Sequence, residues 1–168
     1  MKKVAVFLDG ANIFYSQKKM GWSIDAEKLL DFCKEFGALT EATYYTGVSP
    51  ESNQKKFLDK LAYIGYALIT KPVKSITDPE TGDTLQKANL DIEIVLDMFN
   101  MIDRYDMAIL ISGDGDFERA VHQLKSRGKE VKVISTRGFV ASELVHAVGI
   151  HYIDLLSIRE RIERKNAA

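Results

Sequence analysis

Met107-Ala108-Ile109-Leu110-Ile111-Ser112-Gly113-Asp114-Gly115-Asp116-Phe117 is the stretch whose reading decides the fold. Apolar residues run without a charge from Met107 to Ile111 and then give way to small and acidic ones. Such a run suits a strand of a parallel sheet covered on both faces. The glycines that follow allow a tight turn at its carboxyl end. The chain opens on the same plan, with Val4-Ala5-Val6-Phe7-Leu8 leading into Asp9-Gly10-Ala11-Asn12.

Working outward, further short apolar runs stand around Ala42-Thr43-Tyr44-Tyr45, Tyr66-Ala67-Leu68-Ile69 and Val131-Lys132-Val133-Ile134, and His151-Tyr152-Ile153 suits a short edge strand. Helical periodicity is expected at about 25–36, 52–63, 88–102, 116–127 and 140–147. Alternating strands and helices predict a single α/β domain over 1–168, a three-layer sandwich on a mainly parallel sheet of about five strands. Its core spans about 3–153, and a C-terminal helix with a basic end closes it at about 154–165. Val73 to Ala88 breaks the rhythm: Thr77-Asp78-Pro79-Glu80-Thr81-Gly82-Asp83 is dense in turn formers and predicts an irregular excursion or β-hairpin.

Composition narrows the function classes. With 168 residues and 46% hydrophobic content, a sizeable core is available. Cys33 is the single cysteine, so no intrachain disulfide is expected and no zinc-ligand spacing exists. The apolar run after Lys3 ends at Asp9, too short for a signal-peptide core. Nothing approaches the ~18 apolar residues of a membrane span. A cytoplasmic protein is expected. The net charge of −1 does not by itself mark a nucleic-acid binder.

The chemistry sits after the strands. In open α/β sheets, ligands bind in the crevice outside the carboxyl ends of the strands. Asp9 follows the first run, and Asp114 and Asp116 follow the fourth. Asp91 lies in the first turn of the helix that feeds the fourth, which puts it at the same edge. Each acid also has an ordinary structural role open to it: Asp9 and Asp116 as helix caps, Asp91 as a partner of the helix dipole. Four converging carboxylates disfavour one another's ionised form, and a hard divalent cation, Mg²⁺ or Mn²⁺, resolves the conflict. Asp97 lies six residues beyond Asp91, about 240° around a helix, and is read as supporting or structural. Glu93, Glu118 and Glu143 are read as surface residues, and His122, His146 and His151 as core or surface residues.

Aspartates around a metal commonly serve phosphoryl and phosphodiester chemistry. No P-loop ending occurs, and Asp9-Gly10-Ala11-Asn12 is not a dinucleotide-binding turn. A phosphatase of the haloacid dehalogenase type needs a second Asp two residues after the first, where this chain has Ala11.

Taken in order, Phe7-Leu8-Asp9-Gly10-Ala11-Asn12, Lys87-Ala88-Asn89-Leu90-Asp91 with Asp97, and Ser112-Gly113-Asp114-Gly115-Asp116-Phe117 resemble the NYN domain, in its LabA-like branch of the PIN-like nuclease superfamily. The resemblance runs from about Lys3 to Ile153. It implies a Rossmann-like sheet, a metal site made by Asp9, Asp91, Asp114 and Asp116, and ribonuclease activity dependent on Mg²⁺ or Mn²⁺. It further implies that Asn12 orients the site or touches a phosphate and that Ser112 supports the loop or positions water.

RNA is the partner expected. Lys87, Lys74 and Lys71 are candidate phosphate contacts, as is Arg137 in Thr136-Arg137-Gly138. Tyr15 and Phe14 are candidates for a surface on which bases stack, but the role expected of at least Phe14 is helix packing against the sheet. A non-catalytic RNA-binding or regulatory module uses the same pocket and stays open as an alternative. Phe139-Val140-Ala141 and the final helix leave room for a homodimer. Setting the four site acids aside leaves 20 acids against 23 basic residues, so the remainder is slightly positive.

Overall fold

The structure, a computed structural model, describes residues 1–51 and 53–166, and in 85–87 the backbone alone. The elements follow one another as β1 (Lys3–Asp9), α1 (Gly10–Met20), α2 (Ala26–Lys34), β2 (Ala38–Val48), α3 (Lys55–Ile64), β3 (Ala67–Pro72), β4 (Lys74–Thr77), β5 (Thr84–Lys87), α4 (Asp91–Asn100), β6 (Met107–Ile111), α5 (Glu118–Ser126), β7 (Glu130–Ser135), α6 (Ser142–Val148), β8 (Tyr152–Asp154) and α7 (Arg159–Ile162). Short 3-10 turns stand at Ile102–Arg104, Gly115–Phe117, Gly149–His151 and Leu155–Ile158.

The main sheet has six strands in the order β3-β2-β1-β6-β7-β8, one more than the expected five because Tyr152–Asp154 completes the edge. Every adjacent pair in it is parallel. Successive residues of β1 alternate between two cores, as the period of two along a strand requires. Val4, Val6 and Leu8 face one layer with Leu29, Leu30 and Leu61, whereas Ala5 and Phe7 face the other with Ile94, Val121 and Leu144. β1 from Val4 to Leu8 and the whole of β6 are thus apolar because both faces are covered, each large aliphatic or aromatic side chain contributing about 1.5–3 kcal/mol.

The order reverses between β1 and β6: the chain winds one way through β2 and β3, and the other way through β7 and β8. This is a topological switch point, where the turns leaving two neighbouring strands diverge and open a crevice. The acid-bearing turns after β1 and β6 flank it.

Two expectations need correction, on α1 and on the closing helix, and a third is resolved. α1 was not among the helices predicted, because its periodicity is weak: only Gly10, Ile13 and Ser16 are buried along it. Of the two forms expected for the excursion, it takes the β-hairpin, β4 antiparallel to β5. The closing helix is far shorter than 154–165. Ile24 forms an antiparallel bridge with Glu163, the Arg164 N–H donates to the Ser23 carbonyl, and the Asp25 N–H donates to the Ile162 carbonyl. Those bonds draw the backbone out of the helix after Ile162.

Candidate metal centre

Asp9 ends β1 and caps α1, accepting from the Asn12 backbone N–H at 3.3 Å. The helix starts immediately because residue 10 is glycine. A Cβ there would sit 2.5 Å from the Tyr45 carbonyl oxygen of β2. The second Asp9 oxygen accepts from Ser112 Oγ at 2.9 Å, which ties the two acid-bearing turns together. A second tie runs from the Gly113 N–H to Asn12 Oδ1 at 3.0 Å. Burial pushes the Asp9 carboxyl up, the bonds from Ser112 and Asn12 pull it down, and the Asp114 charge pushes it up again.

After β6, Asp114 turns the chain into the 3-10 segment by accepting from the Asp116 N–H at 2.9 Å. Asp114, rather than Asp116, therefore does the capping here. Gly113 permits close approach, since a Cβ on it would lie 2.5 Å from Ser135 Oγ. Asp91 opens α4, and Asn89 Oδ1 accepts from its backbone N–H at 2.9 Å.

These segments bring carboxylate oxygens of Asp91, Asp114 and Asp116 all within 4.8 Å of one another. Asp9 stands behind them, close enough to act on Asp91 electrostatically. The Asp91 carboxyl is pushed up to about 7, first by burial, then by the charges of Asp9 and Asp114, a hydrogen bond shared with Asp114, and the Asp116 charge. Asp91 is thus partly protonated near neutral pH, and a cation among these groups would favour its ionised form. The donor set is entirely hard carboxylate oxygen and fits Mg²⁺ or Mn²⁺.

The basic candidates fare differently. Lys71 donates to Glu93 at 2.8 Å and to the Asn89 carbonyl at 3.3 Å, so it braces the start of α4. Glu93 is accordingly an ion-pair partner at a partly exposed position. Lys74 and Arg137 are exposed and enter no ion pair with the carboxylates among the described residues. The Lys87 side chain lies outside the described residues. Asp97 accepts from the Tyr45 hydroxyl at 2.8 Å, a structural bond between α4 and β2. Glu118 pairs with His122 at 3.6 Å on α5, His146 is exposed, and His151 Nδ1 meets Lys132.

Sequence reasoning missed three participants. Asn89 is one, although an Asn two residues before a helical Asp signals such a turn. Ser135, buried at the end of β7 with no hydrogen-bond partner for its Oγ among the described atoms, carried no local signal. Glu143 is exposed, yet its Oε1 lies 2.7 Å from where a Cβ on Gly115 would stand.

The NYN domain profile matches residues 3–156. The chain belongs to the NYN domain family. Within it, the low amplitude and bright protein LabA of Synechococcus elongatus is 43% identical over 165 residues, covering 96% of this NYN chain and 88% of that protein. This agrees with the LabA-like resemblance of its motifs. The crystal structure of a protein of unknown function from Vibrio parahaemolyticus superposes with a TM-score of 0.74 at 24% identity, covering 88% of this chain and 90% of the other. The likeness shows the shared α/β fold. Among the described residues, no helix of this NYN protein is long and apolar enough to cross a membrane.

Proposed function

We propose that the chain is a divalent-metal-dependent ribonuclease that hydrolyses RNA phosphodiester bonds at the carboxylate edge, working in the cytoplasm as one domain over 1–168. The observation that carries this reading is the gathering of Asp91, Asp114 and Asp116 oxygens within 4.8 Å at a topological switch point. Membership of the NYN family supports it, through the nuclease activity that the resemblance implies.

Asp91, Asp114 and Asp116 would hold Mg²⁺ or Mn²⁺, with Asp9 completing the negative field behind them. When bound, such an ion supplies an activated water and neutralises charge growing on the phosphate. The chain's own residues prepare the place. Ser112 and Asn12 fix Asp9 through hydrogen bonds from the Ser112 hydroxyl and the Asn12 backbone N–H, so its carboxylate stays in one orientation. The bond from the Gly113 N–H to the Asn12 side chain holds the two turns at a constant separation. Asp91 is the group assigned to release a proton as a cation enters, because its carboxyl is pushed up to about 7. Lys74, Lys87 and Arg137 are assigned to the phosphates of the approaching strand.

The test is cleavage of single-stranded and structured RNA by purified protein with Mn²⁺, Mg²⁺ or EDTA, beside Asp114→Asn. Metal-dependent cleavage that disappears in the variant is expected. Equal cleavage by both preparations would assign the activity to a contaminant. RNA binding that needs no metal and leads to no cleavage would favour the non-catalytic module.

A further inference from the structure

A cavity of about 800 Å³ opens beside the carboxylates and shares their chain segments. Gly10 and Ala11, which follow Asp9, form part of its wall, and Ala88, three residues before Asp91, forms another part. Thr46 and Gly47, at the carboxyl end of β2, form the floor on the same edge of the sheet as Asp9. The volume lies within the roughly 300–1,000 Å³ of small-molecule sites. Gly47 keeps the hairpin root close, since a Cβ on it would come within 2.6 Å of Ala88 Cβ and 2.9 Å of Val73 Cγ2.

The walls are aromatic. Phe14, Tyr15 and Phe57 line the cavity and remain 52%, 49% and 37% exposed. Phe14 therefore does not pack into the sheet, contrary to the expectation from sequence; Ile13 beside it does. Tyr44 holds Phe57 edge-to-face at 5.9 Å, which fixes that ring as a wall. The Lys18 ammonium lies over one face of the Phe14 ring, 4.6 Å from its centre. Two amides of the lining are oriented: Gln54 is held between the Ser49 N–H and the Gly47 carbonyl, and Gln17 Oε1 accepts from the Ile24 N–H at 2.7 Å, which makes its Nε2 amide the donor end. Flat half-exposed rings with a fixed amide donor match the two needs of a nucleobase, a face to stack on and an edge to bond.

We infer that this cavity is a nucleobase subsite, which takes an unpaired base of the strand lying across the carboxylates, stacked on Phe14 and Phe57 and bonded by Gln17. The inference rests on the ribonuclease reading for the identity of the strand, and it makes single-stranded RNA the substrate class. A duplex keeps its bases paired and stacked and presents none to the cavity. Free mononucleotide shares the base chemistry but lacks the neighbouring phosphates that would lie over the carboxylates.

Binding is measured by fluorescence anisotropy with Ca²⁺ present, using a short single-stranded oligoribonucleotide, the same strand with abasic positions, its duplex, and free nucleoside monophosphate as competitor. RNA integrity is read on a gel afterwards. Intact single strands are expected to bind about tenfold tighter than abasic strands, duplex or mononucleotide. Phe14→Ala and Phe57→Ala should each lose about tenfold on the intact strand and nothing further on the abasic strand, and Phe14→Trp should restore the loss. Equal binding of intact and abasic strands, or no RNA binding, overturns the inference, as does a variant loss that is the same on both strands. Mononucleotide bound as tightly as the strand overturns RNA as the source of the base. Cleavage with Mn²⁺ is scored separately. Base-dependent binding without cleavage sinks the ribonuclease reading alone, whereas cleavage indifferent to abasic positions sinks the subsite alone.

Discussion

The two acid-bearing turns that flank the switch point are built on opposite principles. Asp9 is almost fully buried, and each of its oxygens accepts a hydrogen bond, one from Ser112 Oγ and one from the Asn12 N–H. Asp91, Asp114 and Asp116 are half-buried or exposed and face one another. Asp91 is held up to about 7, first by burial and then by the charges of Asp9 and its neighbours. A buried carboxylate with its bonds made behaves as framework, and carboxylates that repel one another behave as an incomplete shell. The difference divides the edge: the Asp9 turn is held by hydrogen bonds, and the other three acids face one another within 4.8 Å.

The sharpest way to break this division is Asp114→Asn. Asparagine keeps the Oδ1 that caps the Asp116 N–H, so the fold should persist with little change in Tm. Metal-dependent RNA cleavage should fall by at least about 100-fold, because transition-state charge loses its stabilisation. Thermal melts beside the cleavage assay check both halves.

Asp9→Ala should behave in the reverse manner on stability. It removes the α1 cap and leaves the buried Ser112 hydroxyl without its acceptor, costing about 2 kcal/mol. For a chain of this size, that is a fall of roughly 4–8 °C in Tm. A melt unchanged by this substitution would show that Asp9 is not framework.

Asp91 supplies the pH dependence. Its folded pKa, raised from 3.8 to about 7, makes a contribution to stability that is present below about 3.8 and lost as pH rises through 7. Metal-free protein should therefore lose stability between pH 4 and pH 8 through this group. Mg²⁺ should restore it most at the upper end, where no proton competes. Asp91→Asn should flatten the window and raise the metal-free Tm at pH 8 by about 2–4 °C, the scale of about 1 kcal/mol once solvent screening is allowed for. It should also abolish the Mg²⁺-induced gain. Calorimetric melts at several pH values, with and without Mg²⁺, read all of this.

The smallest effect is expected at Tyr45→Phe. It deletes the hydroxyl bonded to Asp97, away from the repelling acids, and should cost about 1 kcal/mol while leaving metal affinity unchanged. A change in metal affinity here would place Asp97 inside the shell.

The sequence was most legible where chemistry and strand ends coincide. A charge-free apolar run can only be a buried strand or a buried helix segment, and the acid and glycine after it mark which end faces the crevice. Asp9, Asp114 and Asp116 followed from that, and Asp91 from the helix that feeds β6. What escaped depends on neighbours distant in the chain. Lys71 and Glu93 pair across 22 residues, which no local pattern announces. The end of α7 is set by Ser23, Ile24 and Asp25, not by the propensity of Arg159–Ile162. α1 stayed hidden because its outer face carries Phe14 and Tyr15, half-exposed aromatics that blur the polar side of a helical pattern. The same two rings line the cavity, so the feature that obscured the helix belongs to a surface that other layers leave open.

The central claim is that Asp91, Asp114 and Asp116 form a shell for one kind of charge. Titration of Mn²⁺ into the metal-free protein at pH 6 and pH 8, followed by the loss of the free-ion paramagnetic resonance signal, tests it most directly. The account predicts saturable binding that is tighter at pH 8, accompanied by proton release near pH 7 and lost in Asp114→Asn. Binding that is independent of pH and unchanged in that variant would contradict it.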